Sequence, residues 1–486
     1  SGWASLQTLG EIVASGKTIV LDTKTNKIVL NGPVSASLEK TGAGTATVGP
    51  TVEAPCGGED ETISISEGTL EIGAKGSWAG KTNTIDGDTA VFSLLRNNCI
   101  SKTATLTVKN GGKVNLGASA AVAELWVDGV KMDAGVYSAA NLSAVFSGTG
   151  QMVVGNVKTW CGGSSGLFSE STNWSGGSAP EAGDTLLFDQ AVTLTEEAFE
   201  VGADGITIIC NANVTCTVAF SGEGCVIKKG SKNLSVVAVP TLVGGFRIED
   251  GVLDNGNKNA VTNPLGAVPI EITGTGKFQY NNYYNSLGNA ITIHDIQQPQ
   301  AIVLNGPGSM TSKITANCDF TVSVAWEAPG LKGPISAPGK TVTIDCESGN
   351  SRQITISGEI DASLTKTNSG VCTFSGTTVG DTNVLTVAGG TLTIAASKVW
   401  SGNEVRVSGT GSVLALSSRD NLTRESIVYV SDGGMLNLAA NVKVMGLNVN
   451  GLPKESGRYT VQNLPEVIAG SGILTVGKLG LFLVVQ

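Results

Sequence analysis

Short stretches in which polar and apolar residues alternate run along this chain, among them Thr105-Leu106-Thr107-Val108, Leu385-Thr386-Val387, Thr391-Leu392-Thr393-Ile394 and Ile473-Leu474-Thr475-Val476. A period of two places successive side chains on opposite faces of an extended strand, and Thr, Val and Ile favour that conformation. Gly, Asn, Ser or Asp breaks the alternation roughly every 8–12 residues. No helical period persists beyond a turn or two. The pattern predicts many short strands and an all-β chain.

The strands belong to a long internal repeat. Residues 68–155 align without a gap on residues 390–477 at a constant offset of 322, with about a third of the positions identical. Gly68-Thr69-Leu70 matches Gly390-Thr391-Leu392, Trp78 matches Trp400, and Asn115-Leu116 matches Asn437-Leu438. Further on, Tyr137 matches Tyr459 and the Gly148-x-Gly150 pair matches Gly470-x-Gly472. Upstream, with small insertions, Gly16-Lys17-Thr18 matches Gly339-Lys340-Thr341 and Ser37-Leu38 matches Ser363-Leu364. Residues from about 158 to 338 have no partner in the first half. We therefore expect one and a half copies of a single unit: a truncated unit over 1–157, an opening module with the first coils of the second unit over 158–338, the repeat copy over 339–477, and an apolar tail over 478–486.

Many short strands fit either tandem β-sandwiches or a parallel β-solenoid. Recurrent turn glycines, few aromatics and the spacing of Cys318, Cys346 and Cys372, 28 and 26 residues apart, favour the solenoid, a right-handed parallel β-helix. At roughly 4.8 Å per rung, about 18–20 rungs would make a rod on the order of 90 Å. The same spacing predicts a cysteine ladder over those three residues, and Cys210, Cys216 and Cys225 are candidates for similar pairing. Adjacent rungs bring Cα atoms within the usual disulfide range of about 4.4–6.8 Å.

Composition narrows the partners. The formal charge is −10 and the basic residues are scattered singly, so nucleic acid and anionic membranes are not expected to bind. A hydrophobic content of 41% argues against disorder, and no apolar run is long enough to span a bilayer as a helix. Nine cysteines suit an oxidising compartment, and a first residue of Ser fits a removed secretion signal.

Residues 159–188 open with Thr159-Trp160-Cys161-Gly162-Gly163. They continue through Phe168-Ser169, Asn173-Trp174-Ser175-Gly176-Gly177 and Pro180 to Gly183-Asp184-Thr185-Leu186-Leu187-Phe188. This stretch resembles the opening module of autotransporter-associated β-strand repeat proteins. The closing segment, Gly434-x-Leu436-x-Leu438, Leu447-x-Val449-x-Gly451, Gly457-x-Tyr459-Thr460 and Ile468-x-Gly470-x-Gly472-x-Leu474-x-Val476, is similar to that family's C-terminal repeat edge. The resemblance implies a secreted, passenger-like bacterial β-helix at the cell surface. No series of outer-membrane barrel strands is found, so export through a fused barrel is not expected.

Residues suited to chemistry are few. His294 is the single histidine and lies in an alternating stretch, which removes any site needing two His ligands. Gly10-x₅-Gly16-Lys17-Thr18 and Gly333-x₅-Gly339-Lys340-Thr341 mimic phosphate loops. Each has one residue too many and runs into a strand rather than a helix, so both read as turns. Asp86 and Asp88, Glu59-Asp60-Glu61 and Glu196-Glu197 are the carboxylate groups to weigh for acid–base or calcium chemistry, yet none has a spacing that either requires. Tyr280, Tyr283 and Tyr284 form the densest aromatic patch and are the candidate contact for surface glycans.

No catalytic residue, metal or cofactor is expected. A solenoid has an open edge at each end that must be capped or will recruit another strand. The tail residues Leu479, Leu481, Phe482, Leu483, Val484 and Val485 are the candidate assembly strand. The expected function is therefore a secreted or cell-surface structural protein, the subunit of an extracellular β-helical filament or sheath that binds copies of itself head to tail by C-terminal strand addition. A carbohydrate-binding adhesin and a polysaccharide-degrading β-helix enzyme are the alternatives.

Overall fold

The computed structural model describes all residues except 1–4, 9, 52, 197, 257–264, 282–285, 348–352, 397 and 478–486. The described residues form a parallel β-solenoid of about 19 turns with no α-helix. The chain divides into two compact units, Ser1–Lys158 and Thr159–Gln486.

Most strands pair in parallel with the strands one turn before and one turn after. Thr391–Ile394, for example, lies between Val371–Phe374 and Val413–Leu416. Such pairing is incompatible with the sandwich alternative, whose neighbouring strands run antiparallel. Alternation then decides what is inside. The column Val342, Leu364, Leu385, Val405, Val428 and Leu447 climbs one rung per residue, and all six side chains are buried. At about 1.5–3 kcal/mol for each fully buried aliphatic side chain, stacked columns of this kind supply the stability of a fold with few local contacts.

The internal repeat is structural as well as sequential. Thr82–Asp86, Thr105–Lys109 and Met152–Val154 have counterparts 322 residues later in Glu404–Ser408, Ile427–Ser431 and Leu474–Val476. Both copies end in antiparallel closures. Glu124–Val127 pairs with Val130–Lys131 as Gly446–Val449 pairs with Leu452–Pro453, and Gly135–Tyr137 folds back on Met152–Val154 as Gly457–Tyr459 does on Leu474–Val476.

The start of the second unit is closed differently. Trp160, Phe168, Trp174 and Phe188 are buried in edge-to-face and tilted ring contacts of 4.7–6.0 Å that reach Phe199 and Phe220, with Ser171–Asn173 as a single 3-10 turn. The Trp174 indole donates to Phe168 O at 2.7 Å and the Trp160 indole to Gly163 O at 3.0 Å, which leaves neither buried N–H unpaired.

The cysteine ladder is not formed, and none of the nine cysteines is in a disulfide. One turn is about 22 residues here, as in Phe320 opposite Val342 and Val342 opposite Leu364, so spacings of 28 and 26 carry each successive sulfur past the corner. Cys318 precedes the Phe320–Trp326 strand, Cys346 sits opposite Val324, and Cys372 lies on another face between Ile354 and Leu392. Cys210 is opposite Phe188, Cys216 stacks between Leu194 and Val236, and Cys225 precedes Val226–Lys229. Burial pushes the Cys210, Cys216 and Cys372 thiols up to about 12 and raises Cys225 as well.

Candidate functional site

The first turn of unit one shows the clearest departure from the pattern around it. Ile12–Asp22 pairs with Val34–Thr41, and Ser5–Thr8 with Lys27–Leu30. Among the described residues the opposite side of both strands has no partner. The equivalent strand in unit two is Ile335–Cys346, and the match extends to individual pairs. Ile12 meets Val34 as Ile335 meets Ile360, Ile19 meets Leu38 as Val342 meets Leu364, and Leu21 meets Lys40 as Ile344 meets Lys366. Both strands carry the same bulge, between Val13 and Thr18 and between Ser336 and Thr341, and both turn there on a glycine with φ of 70°, Gly16 and Gly339. The two phosphate-loop lookalikes are therefore this corner.

What differs is the next rung. In unit two, Ile314–Ala316 and Phe320–Trp326 lie against Ile335–Cys346 and complete the core, leaving Ile335, Ala337 and Val342 at 2%, 0% and 0% exposure. In unit one the corresponding Ile12, Ala14 and Ile19 are only partly buried, while outward-facing Val13 and Val20 are 70% and 56% exposed. The half-open stretch runs from Ile12 to Ile19, whereas Leu21 and Thr23 further along are buried.

Elsewhere the polar groups are spent on the fold. Three lysines that the alternating pattern places inward, Lys40, Lys228 and Lys366, are fully buried. Lys366 Nζ donates to Thr367 O at 2.6 Å, Asn368 O at 2.6 Å and Gly389 O at 3.1 Å. Lys228 Nζ holds Lys229 O, Gly230 O and, one turn on, Asp250 O, and Lys40 Nζ holds Thr41 O, Gly42 O and Glu67 O. Each ammonium thus spends its three donors on a corner and the corner above it, a staple between rungs. Burial pushes all three below the usual lysine value. Sequence reasoning missed them. The available signal was a lysine at an inward position followed two residues later by Gly42, Gly230 or Asn368, all of which adopt positive φ.

His294 is sandwiched between carboxylates, Nε2 2.5 Å from Glu271 Oε1 and Nδ1 3.1 Å from Asp295 Oδ2, and Arg247 Nε donates to Glu271 Oε2 at 2.6 Å. Hydrogen bonding to Glu271 and then Asp295 raises the His294 pKa. For Glu271, burial works upward, but the bonds from Arg247 and His294 outweigh it and the carboxyl lies below its usual value. The Cys225 thiol lies beside Arg247 and Glu271, but burial raises its pKa, and among the described residues no group of His, Cys, Asp and Glu could hold a metal ion.

The remaining sequence candidates are dispersed. Asp86 is 3.1 Å from Lys109 Nζ and accepts from the Asn110 amide at 2.7 Å, while Asp88 is exposed. Glu61 accepts from Gly58 N, Glu59 pairs with Lys81 at 2.6 Å, Asp60 is exposed, and Glu196 accepts from Ser169 N and Oγ. Tyr280 corrects the glycan expectation, because its ring is buried in the core with its hydroxyl 3.4 Å from Ser309 O and offers no face to a sugar. Its position in the alternation, inward opposite Leu304 and two residues after the inward Phe278, is the reason. Tyr283, Tyr284, Glu197 and the assembly residues Leu479, Leu481, Phe482, Leu483, Val484 and Val485 lie outside the described residues.

No protein-family model, no curated protein and no solved structure matches this chain.

Proposed function

We propose that this protein is the structural subunit of a secreted or cell-surface filament or sheath, in which the C-terminal tail of one molecule adds to the open first turn of the next. The observation that carries this reading is the incomplete core of that turn. Ile12, Ala14 and Ile19 are partly open where the repeat copy buries the same positions completely. The other ends favour a tail strand over coil-on-coil stacking, since the second unit starts under an aromatic cluster and both copies finish in antiparallel closures. A contact between two different surfaces of the same chain does not close on itself and so propagates. The resemblance to autotransporter-associated β-strand repeat proteins supports an extracellular setting. No enzymatic activity, cofactor, nucleic acid or glycan partner is proposed.

Sedimentation velocity over a range of concentrations tests the proposal. The intact chain should form a concentration-dependent ladder of oligomers, and the chain lacking 479–486 should remain at one size. Equal ladders for the two proteins would refute tail addition.

A further inference from the structure

The two copies of the repeat differ along one outward row at their closing ends. In unit two, Val442–Val444, Leu474–Val476 and Gly457–Tyr459 form a small sheet in which Lys443 lies opposite Thr475 and Thr475 opposite Arg458. Residues directly opposite share a face of a sheet. Alternation sends the flanking Val442, Val444, Leu474 and Val476 into the core, so this row faces outward, with Lys443 and Arg458 exposed. The matching row of unit one, 322 residues earlier, is Ala121, Val153 and Val136. The same backbone thus carries two cations and a hydroxyl in one copy and three apolar side chains in the other, so the fold does not require the charges.

Two cavities open beside Lys443. The larger, about 730 Å³, is bordered by Ser418, Arg419, Asp420, Arg424, Asn441 and Lys443. The smaller, about 510 Å³, is bordered by Arg424, Glu425, Lys443, Met445, Ser456 and Thr475. Arg424 and Lys443 belong to both and mark where the two adjoin. Arg419 is paired with Asp420 at 3.2 Å, whereas among the described residues no carboxylate lies within ion-pair distance of Arg424, Lys443 or Arg458. The turn that presents Arg424 is fixed from below by Asn421, which is fully buried. Asn421 accepts from Ser417 N and Ser418 N at 2.7 Å each and donates to Ala395 O at 2.8 Å and Lys398 O at 2.7 Å. Its counterpart in unit one is Cys99.

We propose that Arg424 and Lys443 bind the phosphate group of a phosphate monoester. Such a group carries about −1.5 to −2 charges at pH 7, matched by two cations of which one is a guanidinium that can hold two oxygens at once. Ser418 adds a hydroxyl donor, and Asn441, whose Oδ1 accepts from Ile473 N at 3.0 Å, has its amide NH2 for the ligand. Glu425 borders the smaller cavity and repels phosphate there, while Asp420 in the larger one is neutralised by Arg419. The phosphate therefore sits in the larger cavity, and the organic part of the ester lies against Met445 in the smaller one. Both volumes fall in the roughly 300–1,000 Å³ range of small-molecule sites. A net charge of −10 disfavours a long polyanion, but a small anion at a local pair of cations is screened from most of it. The site is independent of the head-to-tail contact.

Isothermal titration calorimetry of the intact chain with phenyl phosphate, phenyl sulfate and inorganic phosphate tests it. Phenyl phosphate should bind once per chain and at least about tenfold tighter than phenyl sulfate, whose single charge leaves one cation unmatched. It should also bind tighter than inorganic phosphate, which lacks the part that rests on Met445. Lys443→Ala and Arg424→Ala should each weaken phenyl phosphate at least about tenfold, as expected when a charge-assisted hydrogen bond is lost. Neither change threatens the fold, because unit one has Ala121 in the place of Lys443 and Arg424 is exposed in a turn. Lys313→Ala, at an exposed lysine elsewhere in unit two, is the control and should bind as the wild type does. Circular dichroism checks that the solenoid is unchanged in every variant. No saturable binding of phenyl phosphate to the intact chain would overturn the site, and unchanged binding in Lys443→Ala and Arg424→Ala would overturn its assignment to these residues. Equal affinity for phenyl sulfate would overturn phosphate as the group recognised, and equal affinity for inorganic phosphate would overturn the ester.

Discussion

Replacing Lys366 by methionine isolates the rung staple, since the methylene stem is kept and the ammonium is lost. Three carbonyl acceptors, on Thr367, Asn368 and Gly389, lose their donor. A buried unpaired backbone group costs about 1–3 kcal/mol, for a gross loss of roughly 3–9 kcal/mol. Two terms oppose it. The ammonium no longer has to be desolvated, an effective penalty of several kcal/mol, and the thioether gains apolar burial. The Thr367 and Asn368 carbonyls sit at a corner and can recover water, whereas Gly389 belongs to the next rung. A net loss of about 2–4 kcal/mol is therefore expected, concentrated on the rungs that the staple joins. At about 1.4 kcal/mol per decade, amides from Thr367 to Leu392 should exchange about 30- to 700-fold faster. Hydrogen exchange by mass spectrometry is the suitable assay, because a solenoid of many rungs need not unfold in one step. Lys313→Met, at an exposed position, is the control and should change little. Equal or slower exchange in Lys366→Met would show that desolvation outweighs the three bonds, and the staple would then be no source of stability.

Three further outcomes follow from the side chains described above. The His294 pKa is raised by Glu271 and Asp295, so its contribution to stability is fully present below the unfolded value of about 6.5 and is lost as pH rises through the higher folded value. Melting temperatures of wild type and His294→Gln should accordingly differ most below about pH 6.5 and converge as pH rises through the folded value, and a gap independent of pH would contradict this. Cys161 is exposed while Cys56, Cys99, Cys210, Cys216, Cys346 and Cys372 are buried, so a thiol reagent should label Cys161 first, with those six reacting only on unfolding, as read by peptide mass spectrometry. The buried indole N–H groups of Trp78 and Trp400 have no hydrogen-bond partner among the described residues. Thermal unfolding should therefore show Trp400→Phe costing well under the roughly 3–5 kcal/mol of Trp400→Ala.

Strand content, parallel stacking and the repeat at offset 322 were legible because all three are written in the alternation and in glycine positions such as Gly68 and Gly390. The lysine staples were not, since Lys40, Lys228 and Lys366 look like polar interruptions until the corner carbonyls are placed around them. Tyr280 misled for the converse reason. Its neighbours made a polar aromatic patch in sequence, but period two sends Phe278 and Tyr280 inward together. The cysteine ladder failed on a few residues per turn, because a spacing of 26–28 cannot stay in phase with a turn of about 22. The open first turn was foreshadowed by the missing front of the first copy, yet its consequence, a half-exposed Ile12, Ala14 and Ile19, needed the pairing register of both copies.

Negative-stain electron microscopy of the intact chain beside Ile19→Lys most directly tests whether the open first turn is the receiving site. Ile19 is already partly open, so a lysine there can reach solvent without breaking the turn, while an inward charge on an edge strand blocks pairing. End-to-end filaments from the intact chain and single particles from the variant are predicted. Single particles from both, or filaments of equal length from both, would contradict it.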